Sequence, residues 1–99
     1  MIAVIPVRDG VAPAGADETI CEASGQALLI GSGTAQALEN LGQVARQAWL
    51  VEATIDAAHV IAAVNHIGRS HESLILPASP DGRDLAPHLA HALGRNLYA

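Results

Sequence analysis

Four short apolar runs, separated by longer segments of mixed polarity, constrain the fold of this chain more than any other feature. The runs are residues 2–7, 27–30, 44–51 and 73–76, and most of their side chains are aliphatic. Runs of this length are typical of buried strands. Each intervening segment is long enough for a helix. The resulting order, β-α-β-α-β-α-β-α, predicts an α/β protein in which a parallel sheet is joined by right-handed crossovers.

Glycines and capping residues mark the ends of the predicted helices. The predicted helices run from Asp17 to Ser24 before Gly25, from Ser32 or Thr34 to Gly42, from Thr54 or Asp56 to Gly68, and from Asp84 to Leu93 before Gly94. Residues 97–99 predict the start of a further strand. We therefore expect a three-layer α/β/α domain with a parallel sheet of four to five strands. Pro6 has no N–H to donate, so the pairing of the first strand should weaken towards its carboxyl end.

Composition limits the classes of partner. The 99 residues carry a formal charge of −5, and the five cations are scattered arginines. Nucleic acids and anionic membrane surfaces require clustered cations, so neither is an expected partner. No apolar run approaches the ~20 residues of a membrane span. Cys21, the only cysteine, is predicted to be a small buried hydrophobic residue, and a chain without disulfides fits a reducing, cytoplasmic location.

A glycine-rich turn follows the second predicted strand. Gly31 and Gly33 precede a helix, and Glu52 lies about twenty residues further on, which is the outline of a dinucleotide-binding unit. However, Gln36 occupies the third glycine position and is too bulky for close helix–strand packing. The favoured interpretation is an ordinary strand-to-helix turn with a helix cap.

Residues with catalytic or metal-binding chemistry form no recognisable motif. His88 and His91 lie three apart on the last predicted helix, while His66 and His71 flank a turn. Metal sites require converging ligands at a suitable spacing, and none is apparent here. Asp84 and His88 could form an ordinary i, i+4 pair. With no nucleophile elbow or phosphate-binding loop either, the sequence predicts a protein that is not an enzyme.

The strongest candidate site is the loop that follows the fourth strand. Residues 79–84 are polar and contain Gly82. Pro87 is tolerated only near a helix start, so the sequence predicts a helix N-cap at Asp84, with Gly82 and Arg83 exposed in the preceding loop. Backbone N–H groups there, together with Arg83, could hold an anion or the carboxylate of a partner. A plain capped turn, with Arg83 in water, is the equal alternative.

Residues 74–94, which contain the sequence Gly-Arg-Asp-Leu-Ala-Pro at 82–87, resemble a segment of electron transfer flavoprotein α subunits. Residues 1–33 are similar to the α-like subunit associated with mycofactocin biosynthesis clusters in actinobacteria. The resemblance covers nearly the whole chain, but only the first part of the family's length. His88 and His91 depart from the arginine or small residues usual after the motif, and the segment at 17–24 is a shortened first helix.

This resemblance implies a single N-terminal domain, residues 1–99, with an adenine-nucleotide-hydrolase-like, Rossmann-like fold. It implies a heterodimer with a β-like subunit, and this heterodimer would carry electrons from flavin dehydrogenases. It also implies that FAD is held mainly by a C-terminal domain outside this chain. Because the related loop of the β subunit contacts AMP, Ser79, Asp81, Gly82 and Arg83 become candidate nucleotide or partner contacts. A stand-alone domain that binds AMP or ATP is the alternative, and a nucleotide hydrolase is the third hypothesis.

Overall fold

A computed structural model describes residues 1–69, 71–93 and 97–98 of the chain. The sheet contains five parallel strands in the spatial order β3-β2-β1-β4-β5. The strands are β1 (Ile2–Val7), β2 (Gln26–Gly31), β3 (Gln47–Glu52), β4 (Leu74–Ile75) and β5 (Leu97–Tyr98). The predicted α/β class and parallel sheet are confirmed, and the short fifth strand predicted at 97–99 begins where expected.

Four α-helices connect or follow these strands. They are α1 (Ala16–Glu22), α2 (Thr34–Leu41), α3 (Ala57–His66) and α4 (Pro80–Leu93), and a short 3-10 turn lies at Gly42–Val44. The bounds of α2 and α3 agree with the predicted helices to within a few residues. The predicted stop of α4 at Gly94 lies outside the described residues.

Two apolar clusters on opposite faces of the sheet form the core. Residues of β1 alternate between them: Ile2 and Val4 face α3 and α4, whereas Ala3, Ile5 and Val7 face α1 and α2. All five are fully buried. Side chains of a strand point alternately to the two faces, so a strand without polar residues must be covered on both. The molecule therefore has the three-layer, Rossmann-like arrangement expected from the sequence.

Pro6 lies where the pairing of β1 changes. On the β2 side, β1 is paired from Ala3 to Val7, whereas on the β4 side only Ile2 and Ala3 are paired. The N–H of Ile2 donates to the carbonyl of Ser73, so the even-numbered residues of β1 face β4. By this alternation Pro6 also faces β4, beyond the last paired residue. The predicted weakening is confirmed on that side of the strand.

Three sequence expectations about the first half of the chain were wrong. The N-cap of α1 is Gly15, in the left-handed region at φ 85°, and Asp17 lies within the first turn. Cys21 is exposed because the buried residues of this helix are Ala16, Thr19 and Ile20. The third strand begins at Gln47, since the apolar residues before it form the 3-10 turn and its exit.

The start of α4 was also predicted wrongly. The helix begins at Pro80, not after Asp84, and Pro87 lies inside it. Ser79 supplies the cap, because its Oγ accepts a hydrogen bond from the N–H of Gly82 at 3.1 Å. Serine followed by proline is a favoured pair at a helix start. The missing N–H of Pro87 leaves the carbonyl of Arg83 without its helical partner, but both residues are exposed and water can reach that oxygen.

Candidate functional site

A cleft of about 600 Å³ opens at the carboxyl edge of the sheet, between the end of β1 and the first turns of α3 and α4. It is lined by Arg8, Ile55, Asp56, Ala57, Asp81, Asp84, Leu85 and His88. A second hollow of about 420 Å³ shares Arg8 and Ile55 with the cleft and extends to the turn after β2. In open α/β sheets, ligands bind at the point where the strand order reverses, which here is between β1 and β4.

An ion pair between Arg8 and Asp81 crosses this cleft. The Nε and one terminal nitrogen of Arg8 each donate to a carboxylate oxygen of Asp81 at 2.7 Å. The hydrogen bonds from Arg8 lower the pKa of Asp81, and the same pair raises the pKa of Arg8. The Arg8 side chain remains 68% exposed, against 25% for Asp81. The pair therefore ties the end of β1 to the start of α4 while its guanidinium stays open to solvent.

Glu52, the last residue of β3, caps the N-terminus of α2 from the neighbouring strand. Its carboxylate accepts hydrogen bonds from the N–H of Gly33 at 2.9 Å and from the N–H of Thr34 at 2.8 Å. The hydroxyl of Thr34 donates to the same carboxylate at 2.5 Å. These bonds, above all that from the Thr34 hydroxyl, lower the pKa of Glu52. In a dinucleotide-binding unit, the pyrophosphate would lie against these backbone N–H groups.

Gly31 and Gly33 of the same turn are in close contact with the backbone of neighbouring residues, which leaves no room for a side chain. A Cβ on Gly31 would lie 1.8 Å from the carbonyl oxygen of Val7, and a Cβ on Gly33 would lie 2.5 Å from the backbone nitrogen of Gly10. The Gly-rich pattern is therefore explained by the close approach of β2 to β1 and its following turn, without a bound phosphate.

Side-chain oxygens also cap the other two long helices at this edge. Asp56 accepts a hydrogen bond from the N–H of His59 at 2.8 Å at the start of α3. Ser79 caps α4 through Gly82, as described above. The N-termini of α2, α3 and α4 are thus all supplied with acceptors from the chain itself. An exposed helix N-terminus is a common anion-binding site, and these caps compete with any such ligand.

The four residues predicted as contacts occupy different environments. Ser79 and Gly82 are buried, whereas Asp81 lines the cleft and Arg83 is exposed. A Cβ on Gly82 would lie 2.2 Å from the carbonyl oxygen of Pro77, so the expectation of an exposed Gly82 was wrong. The N–H groups of Gly82 and Arg83 both donate to Ser79. A role for these four residues in nucleotide or partner binding stays a prediction.

The charge of the cleft is unfavourable for a phosphate ligand. Three carboxylates line it, those of Asp56, Asp81 and Asp84, against the single guanidinium of Arg8. Because that guanidinium is already paired, an added phosphate would lie mainly among like charges. The cleft is better suited to a cationic or hydrogen-bond-donating group.

Sequence reasoning counted Arg8 only among five scattered arginines and did not predict that Glu52 caps a helix. The histidines at positions 66, 88 and 91 are exposed on their helices, and His88 also lines the cleft beside Asp84. In the described part of the chain, no three His, Cys, Asp or Glu side chains converge as metal ligands would. None of the helices described is long and apolar enough to cross a membrane.

Comparisons with protein-family models, curated proteins and solved structures found no match to this chain. The fold and the cleft themselves define a small Rossmann-like α/β domain. Its acidic cleft lies where the strand order reverses, between β1 and β4. The resemblance of residues 74–94 to electron transfer flavoprotein α subunits stays a prediction made from the motif.

Proposed function

We propose that this chain is the N-terminal docking domain of an electron transfer flavoprotein α-like subunit, without catalysis of its own. It would contact a β-like subunit in a cytoplasmic complex that accepts electrons from flavin dehydrogenases. The segment that carries the resemblance, residues 74–94, includes β4 and α4. The same segment contributes Asp81, Asp84 and His88 to the cleft. The motif and the candidate contact surface are therefore one region of the molecule.

The observation that carries this proposal is the capping of α2, α3 and α4 by Glu52, Asp56 and Ser79. A domain that binds a phosphate-bearing cofactor normally leaves such N–H groups free for the ligand. Here side-chain oxygens accept from four of these N–H groups, and carboxylates dominate the adjoining cleft. This arrangement fits recognition of a partner's cationic or donor groups better than recognition of FAD or AMP.

The fit of FAD can be judged from the same residues. Its diphosphate requires free backbone donors or unpaired cations, and four N–H groups of this edge already donate to Glu52, Asp56 and Ser79. The caps, together with the excess of carboxylates in the cleft, make these residues a poor fit for FAD. The poor fit supports the proposal that the cofactor of the full-length family member is held mainly outside this chain.

Co-expression with a β-like subunit of the family tests the proposal. We expect the two chains to purify together and to elute as one species in gel filtration, whereas the isolated chain should bind neither FAD nor metal. Asp84→Lys, which reverses a charge in the cleft, should weaken the complex about tenfold or more. Glu39→Lys makes the same charge change on the exposed surface of α2 and should leave the complex intact. Clean separation of the wild-type pair would refute the proposal.

A stand-alone AMP- or ATP-binding domain is the second candidate, and the position of the cleft at the strand-order reversal favours it. Isothermal titration of the isolated chain with AMP distinguishes the two. Binding at millimolar or better affinity that is lost in Arg83→Ala would support a nucleotide site. The absence of heat under the same conditions would remove this candidate.

A further inference from the structure

Aspartate followed by glycine occurs twice in this chain, at Asp9-Gly10 and at Asp81-Gly82. Such a pair is prone to a spontaneous change of the backbone, because glycine has no side chain to hinder attack of its nitrogen on the aspartate carboxyl. Both pairs lie at the carboxyl edge of the sheet, where Arg8 and Asp81 form their ion pair. Their surroundings differ, and this difference determines which pair reacts in the folded protein.

Asp9 and Gly10 are the central residues of a two-residue turn that follows β1. The N–H of Arg8 donates to the carbonyl of Val11 at 3.1 Å, and the N–H of Val11 donates to that of Arg8 at 3.0 Å. Both central residues have positive φ, 51° at Asp9 and 78° at Gly10, as a type I′ turn requires. The left-handed region is unfavourable for a residue with a Cβ, so the exposed Asp9 is held in a strained conformation.

The carboxyl group of Asp9 is loosely held. Among the described residues, its nearest hydrogen-bonding group is the hydroxyl of Ser32, which lies 3.4 Å from Oδ1, at the outer limit of a hydrogen bond. The N–H of Gly10 donates to the carbonyl of Ser32 at 2.9 Å, and this bond must open before the nitrogen can attack. A turn at the surface opens locally at a much lower free energy than the core, so the rest of the domain stays folded when it does.

Asp81-Gly82 is protected by its contacts. Arg8 donates two hydrogen bonds at 2.7 Å to the carboxylate of Asp81, which hold that group in place. The same bonds lower the pKa of Asp81, so its carboxyl stays ionised, and a carboxylate oxygen is a poor leaving group. The N–H of Gly82 donates to the buried hydroxyl of Ser79 within the first turn of α4. Freeing this nitrogen requires loss of the helix start.

We propose that Asp9-Gly10 is a modification site at which Asp9 converts spontaneously to isoaspartate, whereas Asp81-Gly82 stays intact in the folded protein. The nitrogen of Gly10 bonds to Cγ of Asp9, and the carboxyl hydroxyl leaves as water with the N–H proton. Water then adds to the main-chain carbonyl carbon of Asp9 in the succinimide ring, and the bond from that carbon to the Gly10 nitrogen breaks. The nitrogen regains a proton, the backbone runs through Cγ, and the former main-chain carbonyl is a free carboxylate.

The modification inserts one carbon atom into a turn that has no room for it. A Cβ on Gly33 would lie 2.5 Å from the backbone nitrogen of Gly10, and a Cβ on Gly10 would lie 2.5 Å from Oε1 of Gln36. A longer turn therefore cannot keep these contacts together with the reciprocal hydrogen bonds between Arg8 and Val11. Because Arg8 is part of the turn, its ion pair across the cleft is weakened as well. The proposal is independent of the function proposed above.

Incubation of the full chain at physiological temperature and mildly acidic pH tests the selectivity. Electron-transfer dissociation mass spectrometry of proteolytic peptides distinguishes isoaspartate from aspartate at each position. We expect isoaspartate to accumulate at position 9 about tenfold faster than at position 81, since only the turn opens locally. The same chain unfolded in urea is the control, and there the two pairs should react at similar rates. Equal accumulation at positions 9 and 81 in the folded chain overturns the proposal, as does no isoaspartate at position 9 once half of the urea-unfolded chain has converted.

Two variants of Asp9 test the chemistry and its effect on the turn. Asp9→Asn keeps a residue that tolerates positive φ and should lose ammonia in the same ring closure, which raises the intact mass without any digestion. Asp9→Gly also suits the turn but has no carboxyl to form the ring. After incubation we expect the wild type to have a Tm about 4 °C or more below that of fresh protein, and Asp9→Gly to be unchanged. An unchanged Tm of wild type that carries isoaspartate at position 9 would refute the disruption of the turn.

Discussion

Replacing Gly82 by alanine provides a direct test of how α4 begins. The added Cβ would lie 2.2 Å from the carbonyl oxygen of Pro77, which is 0.8 Å inside the 3.0 Å limit that real Cβ contacts observe. That oxygen also accepts a hydrogen bond from the N–H of Ser79 at 2.8 Å, so it cannot turn away without breaking the loop. Overpacking of this kind costs about 1–3 kcal/mol, and an obstacle in the backbone places Gly82→Ala at the upper end.

Alanine also has an advantage over glycine of about 1 kcal/mol in a helix, which opposes the clash. The net expectation is a loss of about 2 kcal/mol, which lowers the Tm of a domain this size by roughly 8–16 °C. Thermal unfolding followed by circular dichroism measures it. Arg83→Ala, at the exposed neighbouring position of the same helix, should change stability by no more than about 0.5 kcal/mol. If Gly82→Ala were neutral or stabilising, the packing of the first turn of α4 against Pro77 would be refuted, and a helix start at Asp84 would be favoured.

Two further predictions concern the caps of the carboxyl edge. Ser79→Ala should lower the free energy of unfolding by about 1 kcal/mol, because the N–H of Gly82 loses its buried acceptor, and urea unfolding would show a lower midpoint at an unchanged m-value. The pKa of Glu52 is lowered by folding, so its stabilising contribution is complete above the ordinary value of 4.5 and is lost as the pH falls through the lowered pKa. The Tm of Glu52→Gln should therefore decline less than that of the wild type between pH 5 and pH 2, and parallel declines would contradict the capping role.

The strands and the two-sided core follow from local patterns. Residues 2–7 are apolar and β-branched, and they form a strand buried on both faces. Helix α3 was located because Asp56 is a local cap, three residues before the N–H that it accepts from. In both cases the deciding interaction lies within one turn or one strand, where periodicity and capping preferences apply.

The site depends on interactions that no local pattern contains. Glu52 caps a helix whose first residues lie 18 and 19 positions earlier, and Arg8 pairs with Asp81 across 73 positions. These pairs become neighbours only when parallel strands place their carboxyl ends along one edge. The position of Glu52 about twenty residues after the Gly-rich turn was noted only as part of a dinucleotide-binding outline, and its role as the cap of α2 was not predicted.

The error in α4 arose from competing local signals. The prediction relied on Pro87, which favours a late start, and did not weigh Ser79 and Pro80, which favour an early one. Leu85 and Leu89, on either side of Pro87 in the helix, are buried in the core against β1 and α3. The burial of two leucines, worth about 1.5–3 kcal/mol each, offsets the cost of about 3 kcal/mol for an interior proline.

The central position of β1 has a consequence for the order in which the protein folds. During synthesis, β1 can pair with β2 as soon as α1 has formed, so the face that holds Ile5, Val7 and Leu29 is covered early. The opposite face of the same strands, with Ile2 and Val4, stays uncovered until α3 and α4 leave the ribosome. The nascent chain therefore passes through a half-covered sheet, and exposed apolar surface of this kind is what chaperones recognise and what aggregation begins from.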